Sequence, residues 1–432
     1  MSAKAPQIFL FWDKAHIWGL LPHHALTSLG IPFKIVRGAA IARGMLARER
    51  PAVLLVPGGF SRQKMEALGA VGVAAVRDYV ARGGAYLGFC GGAGFALTDP
   101  YGLGLCPFVR QPFSNRLQHF ASGHIRVTPK NDNPLTPAWL EETPLLPVWW
   151  PARFGPETPT TSAEEREAPR AVDILAAYGA PGPDFMMADI KLGALPGKTL
   201  AAWEAKYGVS LDPEFLRGGP CIVSGRYGRG RYVLSHAHLE TPGSGAANAW
   251  LGHILAVLCG EAPPAAPGPA APEWDLDALP RRFEDALFAD CSARMDEAVA
   301  LGLENGLLYR RNPWLFGWRP GTPGFAISNL YALFRQARAL APNASAMQYW
   351  RAVAPHFHKM MLEFQKGLSG YFLAERLAST LSRFDPGAVP DKGLAIERRL
   401  LFGPPPGAGG LCGELLDLLD QLIWLLLDNE RP

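Results

Sequence analysis

Ala85-Tyr86-Leu87-Gly88-Phe89-Cys90-Gly91-Gly92-Ala93-Gly94-Phe95 is the stretch on which the reading of this chain turns. Its first five residues offer no polar face, as expected of a strand covered by helices on both sides. It runs into Gly-x-Cys-x-Gly, with Gly88, Cys90 and Gly92. In α/β folds a nucleophile at this place sits on a tight strand-to-helix turn whose flanking side chains would clash. The helix expected after it would aim N–H groups at Cys90 and favour the thiolate. A small buried cysteine in the Gly-rich turn of a Rossmann-like fold has the same pattern, so the motif alone leaves both readings open.

Working outward, residues 8–12, 33–36 and 52–56 read as strands, with helices over 16–30 and 63–82 between them. Apolar strands alternating with helices predict a flavodoxin/Rossmann-like α/β domain with a mostly parallel sheet. Later strands, over 124–128, 171–178, 221–225 and 231–235, look more like a meander, and the polar, Pro-rich stretch 155–169 reads as a surface loop. Residues 263–272 are all Pro, Ala or Gly and predict a semi-rigid extended linker. The chain is therefore divided into an α/β domain (1–262), a linker (263–274) and an all-α C-terminal domain (275–432). Helices are expected there over 279–301, 325–340, 345–384 (broken at Pro355 or near Gly367 to Gly370) and 411–427.

The 432 residues are 48% hydrophobic and 19% charged, which excludes wholesale disorder, and a net charge of +3 does not by itself imply a nucleic-acid or anionic-membrane surface. Six cysteines form no C-x-x-C pair, so zinc ribbons and thioredoxin-type motifs lack support. Residues 411–427 carry Glu414, Asp417 and Asp420, read as a solvated face, so no membrane span is expected there. No signal peptide is read, and a reducing cytoplasm is the expected location. His23-His24 and the His356/His358 pair lack further ligands at useful spacing, so neither metal nor cofactor is expected. Gly193 to Thr199 falls one residue short of a phosphate-binding loop and reads as a turn before a short helix. Asn343-Ala344-Ser345 is read as a helix cap.

Two further stretches give Cys90 a chemical context. Pro57-Gly58-Gly59 ends the strand before the elbow, and its N–H groups, with that of Gly91, would suit an oxyanion. A cysteine nucleophile needs a base, and the base needs a carboxylate to fix its tautomer. His238 and Glu240, two apart at a strand end, supply both. His236, on the same strand face, would line the pocket with Gly92 and Phe60.

Three blocks carry a family resemblance: Leu55 to Gly59, Tyr79 to Phe95, and Gly228 to Glu240. On these residues the chain resembles the class I glutamine amidotransferase-like superfamily. It is most similar to the amidotransferase-like domain at the N-terminus of eukaryotic biotin–protein ligases, which also occurs as stand-alone bacterial proteins. The resemblance spans roughly residues 50–245 and does not reach 275–432. It implies Cys90 as nucleophile, His238 as base, Glu240 as its orienting carboxylate, and Gly58, Gly59 and Gly91 as oxyanion donors. Glutamine amidotransferases carry a substrate-holding Gln where this chain has Gly94, which follows the biotin-ligase-associated branch instead. Ser224 to Arg231 is similar to an Arg/Gly adenylate loop, but it directly precedes the His238 strand and reads as a hairpin. The expected activity is that of an amidotransferase-like thiol hydrolase acting on a small-molecule or peptide-like amide or acyl substrate. The alternative is a catalytically silent ligand-binding or regulatory module whose helical domain docks a protein partner; no nucleic acid or membrane is expected as a partner.

Overall fold

Short apolar strands too buried to have a solvent face need helices on both sides, and the first part of the chain supplies them in alternation. A computed structural model describes residues 7–111, 121–156, 171–208, 211–384, 392–404 and 409–427; most of the loop read over 155–169 lies outside them. The chain divides into two compact units, Met1–Glu273 and Trp274–Pro432.

In the first unit the elements run Ile8–Phe11 (β1), Ile17–Ser28 (α1), Phe33–Val36 (β2), Gly38–Ala42 (α2), Met45–Glu49 (α3), Val53–Val56 (β3), Ser61–Ala81 (α4), Ala85–Phe89 (β4) and Gly91–Phe95 (α5). They continue with Phe108–Gln111 (β5), Ala121–Pro129 (β6), Leu145–Trp149 (β7), Arg153–Pro156 (β8), Val172–Pro181 (β9), Met186–Met187 (β10), Ile190–Lys191 (β11), Gly197–Tyr207 (α6), Pro220–Tyr227 (β12), Gly230–Ser235 (β13) and Gly245–Leu258 (α7). One large sheet has the order β11-β10-β6-β9-β12-β13-β4-β3-β1-β2, with β7 paired on β6. The strands from β13 to β2 are parallel to one another. From β13 outward every pairing is antiparallel, beginning with the β12–β13 hairpin closed at Tyr227 and Gly230. The meander pattern of the later strands is this second half. Beside the sheet, β5 and β8 form a separate antiparallel ribbon in which Arg110 faces Phe154.

β1, β3 and β4 are buried along their whole length, and the core holds Phe9, Phe11, Leu54, Val56, Tyr86 and Leu234. The turn read at Gly193 to Thr199 leads into α6, which begins at Gly197. The Pro/Ala segment is not a bare tether. Pro264 O accepts a hydrogen bond from Trp139 Nε1 (3.0 Å), Pro272 O pairs with His24 Nε2 (3.0 Å), and Ala271, fully buried, donates its N–H to Asn248 Oδ1 (3.0 Å).

The second unit contains Ala286–Glu304 (α8), Leu308–Asn312 (β14), Leu315–Trp318 (β15), Gly324–Ala339 (α9), Ala344–Phe384 (α10), Lys392–Phe402 (α11) and Gly410–Leu427 (α12). It departs from the sequence reading in five ways, one of them α11, a helix the pattern does not predict. A β14–β15 hairpin, turning at Pro313 and Trp314, interrupts the helices. α8 starts seven residues late, where Asp285 caps it through Leu287 N (3.0 Å) and Phe288 N (3.1 Å). α10 runs unbroken for 41 residues through Pro355. Gly367 serves packing rather than a break, because a Cβ there would stand 2.9 Å from Leu401 Cδ2. Lastly, Asp420 is buried while Glu414 and Asp417 are exposed. Steps of three residues lag a 3.6-residue turn, which carries the third acid round to the core side. Asn343 caps α10 as read, its Oδ1 accepting from Ala346 N at 2.8 Å. Leu373, Leu377 and Leu381 on α10 and Ile396 and Leu400 on α11 are exposed.

Candidate active site

The carboxyl ends of parallel strands are where ligands enter open α/β sheets, and the ends of β1, β3, β4 and β13 converge here. Cys90 leaves β4 with φ 48° and ψ −109°, a conformation that costs a residue with a side chain roughly 1–3 kcal/mol. The surrounding bonds hold it there. Cys90 N donates to Ser235 O (2.8 Å) on β13, and Gly94 N donates to Cys90 O (2.9 Å). Tyr86 OH donates to Gly92 O (2.6 Å), and Ser61 Oγ donates to Gly91 O (3.0 Å). The glycine run has a steric cause. A methyl group on Gly91 would overlap the Gly59 carbonyl, one on Gly92 would overlap the Val56 carbonyl, and one on Gly88 would stand 2.7 Å from Gly92 O.

His238 and Glu240 are both fully buried just beyond β13. Glu240 Oε1 holds His238 Nδ1 at 2.8 Å, so that Nδ1 carries the proton and Nε2 is left to meet the Cys90 thiol. Nε2 has no hydrogen bond of ordinary geometry among the described residues, yet thiol and imidazole are close enough to shift each other's protonation. That slackness is usual in a site without substrate. Burial alone would lower the His238 pKa; Glu240 and then Cys90 outweigh it and raise it to about 10. Burial likewise pushes the Cys90 thiol up, but His238, then Arg110, then the Gly91 N–H bring it below the ordinary value. The two shifts favour a thiolate–imidazolium pair. α5 has only five residues, so the helix expected to activate the thiol contributes little more than its first N–H. Cys90 is still partly exposed and thus reachable.

The loop carrying this pair is pinned from several sides. His236 N donates to Cys221 O (2.8 Å), His238 N donates to Pro147 O (2.8 Å), and Asn248 Nδ2 spans Leu239 O (2.8 Å) and Thr241 O (3.0 Å). The Trp18 ring lies over His238 with centroids 4.9 Å apart. It crowds Gly58, where a Cβ would meet its Cγ at 3.0 Å. Strain concentrates around the same point: Lys14, His16 and Trp150 also have positive φ, and Trp150 meets Trp18 edge-on at 5.3 Å.

Of the residues singled out from the sequence, Cys90, Gly91, Gly58, Gly59, His238 and Glu240 come together. His236 joins them, buried and stacked on Phe154 at 4.1 Å. At Gly92 an added Cβ would overlap Val56 O and stand 2.6 Å from Pro57 O, so that side of the residue is filled by backbone. Phe60 precedes α4 as its half-buried cap residue, with no described contact to the thiol. Sequence reading passed over Trp18, Phe154 and Arg110. The last two sit on strands of four residues, too short for alternation to register, although Phe108-Val109-Arg110-Gln111 has a weak strand pattern. His24, His23 and His358 stand elsewhere; His358 Nε2 pairs with Asp290 Oδ2 at 2.8 Å.

Fold and elbow together define an α/β unit of the Rossmann-like class with a cysteine at the strand-to-helix turn. A model of the family described as biotin-protein ligase, N terminal, matches residues 44–99, in line with the resemblance read from the sequence. The match takes in β3, the Gly58-Gly59 turn, α4, β4 and Cys90, and ends before Arg110, His238 and Glu240. No curated protein sequence matches the chain. Among solved structures, a β-galactosidase from Bacillus circulans sp. alkalophilus is similar at 12% identity and a TM-score of 0.34, over 59% of this chain and 30% of that one. The similarity thus spans less than a third of that enzyme. A ThuA-like protein from Bacteroides uniformis is similar at 12% identity and a TM-score of 0.33, over 59% of this chain and 94% of that one. Another from Parabacteroides merdae has 12% identity and a TM-score of 0.34, over 60% and 93%. Among the described residues no helix is long and apolar enough to cross a membrane, and no group of three or more His, Cys, Asp or Glu is placed to hold a metal ion.

Proposed function

We propose that the α/β unit is a thiol-dependent hydrolase of amide or related acyl bonds, with Cys90, His238 and Glu240 as its triad. The observation that carries this reading is the buried Glu240–His238 bond of 2.8 Å beside a thiol held in the strained elbow conformation. The Cys90 thiolate attacks the acyl carbon and the carbonyl π electrons move to oxygen. The N–H groups of Gly59 and Gly91, whose backbones are in van der Waals contact, are the candidates to receive that oxyanion. As the tetrahedral intermediate collapses, the His238 imidazolium gives its Nε2 proton to the leaving amine. A thioester on Cys90 remains. Neutral His238 then takes a proton from water, the hydroxide attacks the thioester, and collapse expels the Cys90 thiolate and frees the acid, which restores the thiolate–imidazolium pair.

Burst kinetics with a panel of small amides and activated acyl esters test the proposal. Wild type is expected to accumulate one equivalent of acyl-enzyme on Cys90, and Cys90→Ala to lose the burst and all turnover above background. Hydrolysis that survives Cys90→Ala contradicts the reading. The second reading, a silent ligand-binding module, draws on Gly94: it supplies no side chain where amidotransferases hold glutamine. Ligand binding without turnover, unaffected by Cys90→Ala, would favour it.

A further inference from the structure

The space over Gly94 is not vacant. A Cβ at position 94 would overlap the Arg110 guanidinium, and position 94 lies one turn beyond the thiol, its N–H bonded to Cys90 O at 2.9 Å. Arg110 therefore leans across the elbow where the amidotransferases' glutamine-holding side chain would start. It comes from the β5–β8 ribbon, where its cross-strand partner is Phe154. Paired residues in an antiparallel ribbon project to the same face, so Arg110 shares the face on which Phe154 stacks against His236 at 4.1 Å.

Two features separate this arginine from an ordinary surface charge. No carboxylate pairs with it among the described residues, although it is exposed and an exposed guanidinium readily finds an acid on its own surface. Beside it, His236 is 2% exposed and its Nε2 has no hydrogen-bond partner among the described residues. Burial, reinforced by Arg110 and His238, keeps that ring neutral, so Nε2 can donate without adding a second charge. A fixed cation at the rim and an unused buried donor beside it make a two-point receptor for a carboxylate.

Building on the triad reading, we propose that Arg110, with His236, selects acyl substrates that carry a carboxylate near the scissile group. Gly94 is what leaves room for the arginine. In this assignment Arg110 binds the anionic end of the substrate while Cys90 faces the acyl carbon.

The test compares alkylation of Cys90 by iodoacetate and by iodoacetamide at low salt, followed by mass spectrometry of the Cys90 peptide. Both reagents consume the same thiolate, so their rate ratio cancels any effect of Arg110 on thiol ionisation. Relative to a free thiol, wild type is expected to favour iodoacetate by roughly tenfold. Arg110→Met is expected to lose most of that preference, leaving what the His238 imidazolium supplies, and Arg110→Lys to keep more of it. Gly94→Gln keeps the charge but displaces it, and should weaken the preference as well. A wild-type ratio equal to that of a free thiol, or a ratio that Arg110→Met leaves unchanged, overturns the proposal. Should Cys90 prove inert to both reagents, the triad reading fails while the receptor is read by calorimetry with glutarate. Affinity roughly tenfold weaker in Arg110→Met sustains it, and equal affinity overturns it.

Discussion

The elbow and the helical unit bury the same kind of atom to opposite effect. Cys291 on α8 and Cys412 on α12 are buried, and burial drives both thiols up to about 12. Cys221, on β12 within the sheet, is also pushed well up by burial. Cys90 feels the same desolvation, yet its pKa falls, because His238, Arg110 and the Gly91 N–H lie around it. Burial by itself makes a cysteine inert. The shift is set by neighbours, and in this chain they come from the loop after β13 (His238), from β5 (Arg110) and from the start of α5 (Gly91). Among the described residues of the helical unit, neither Cys291 nor Cys412 has neighbours that bring its thiol below the ordinary value. The unit's charged groups pair on its surface, as in Arg294 with Asp290 (2.7 Å) and Arg310 with Asp277 (2.7 Å).

The largest effect that would sharpen this contrast is expected from Glu240. Glu240→Ala removes the counter-charge of an imidazolium with no exposure to solvent, and breaking such a pair typically costs about 3–5 kcal/mol. Urea unfolding followed by tryptophan fluorescence measures it. The variant should also have a lower His238 pKa than wild type, because only Cys90 is then left to oppose burial. A change below about 1 kcal/mol would mean that the dyad holds no buried charge.

Next in size is the same substitution made in both regions. Gly91→Ala drives a methyl group into the Gly59 carbonyl and should cost about 1–3 kcal/mol or more, with Cys90 reactivity lost as the elbow shifts. Gly370→Ala, exposed in the middle of α10 with only Glu397 Oε1 as near as 4.0 Å, should instead stabilise the helical unit by about 0.5–1 kcal/mol. Equal responses at the two sites would remove the steric account of the glycine run.

Much of the α/β unit was legible because its strands are short, apolar and bounded by glycine. β1 to β4, the β12–β13 hairpin and the Cys90 elbow all stand where pattern alone puts them. The candidate triad was legible for the same reason: its members follow strand ends, and each belongs to a residue type with few other uses there. What escaped notice has local causes. Arg110 and Phe154 lie on four-residue strands whose alternation is too short to stand out, and their partnership joins residues 44 positions apart. Trp18 is indistinguishable in sequence from any core tryptophan near the start of a helix. Gly367 looked like a helix breaker because the approach of Leu401 depends on tertiary packing. The helix after Cys90 is short, ending at Phe95, so of its N–H groups that of Gly91 lowers the thiol pKa, after the larger effects of His238 and Arg110.

The central claim is that Cys90 and His238 share an ion pair at neutral pH. A thiol is charged above its pKa, which is lowered here, and His238 keeps its proton until about pH 10. The pair should therefore exist from below the ordinary thiol value up to about that pH. The direct measurement is the rate of Cys90 alkylation by iodoacetamide from pH 5 to 10 in wild type and His238→Ala. The account predicts a wild-type inflection well below the ordinary thiol value of about 8.5, moved to that value or above in His238→Ala. Inflections near 8.5 in both proteins would contradict it.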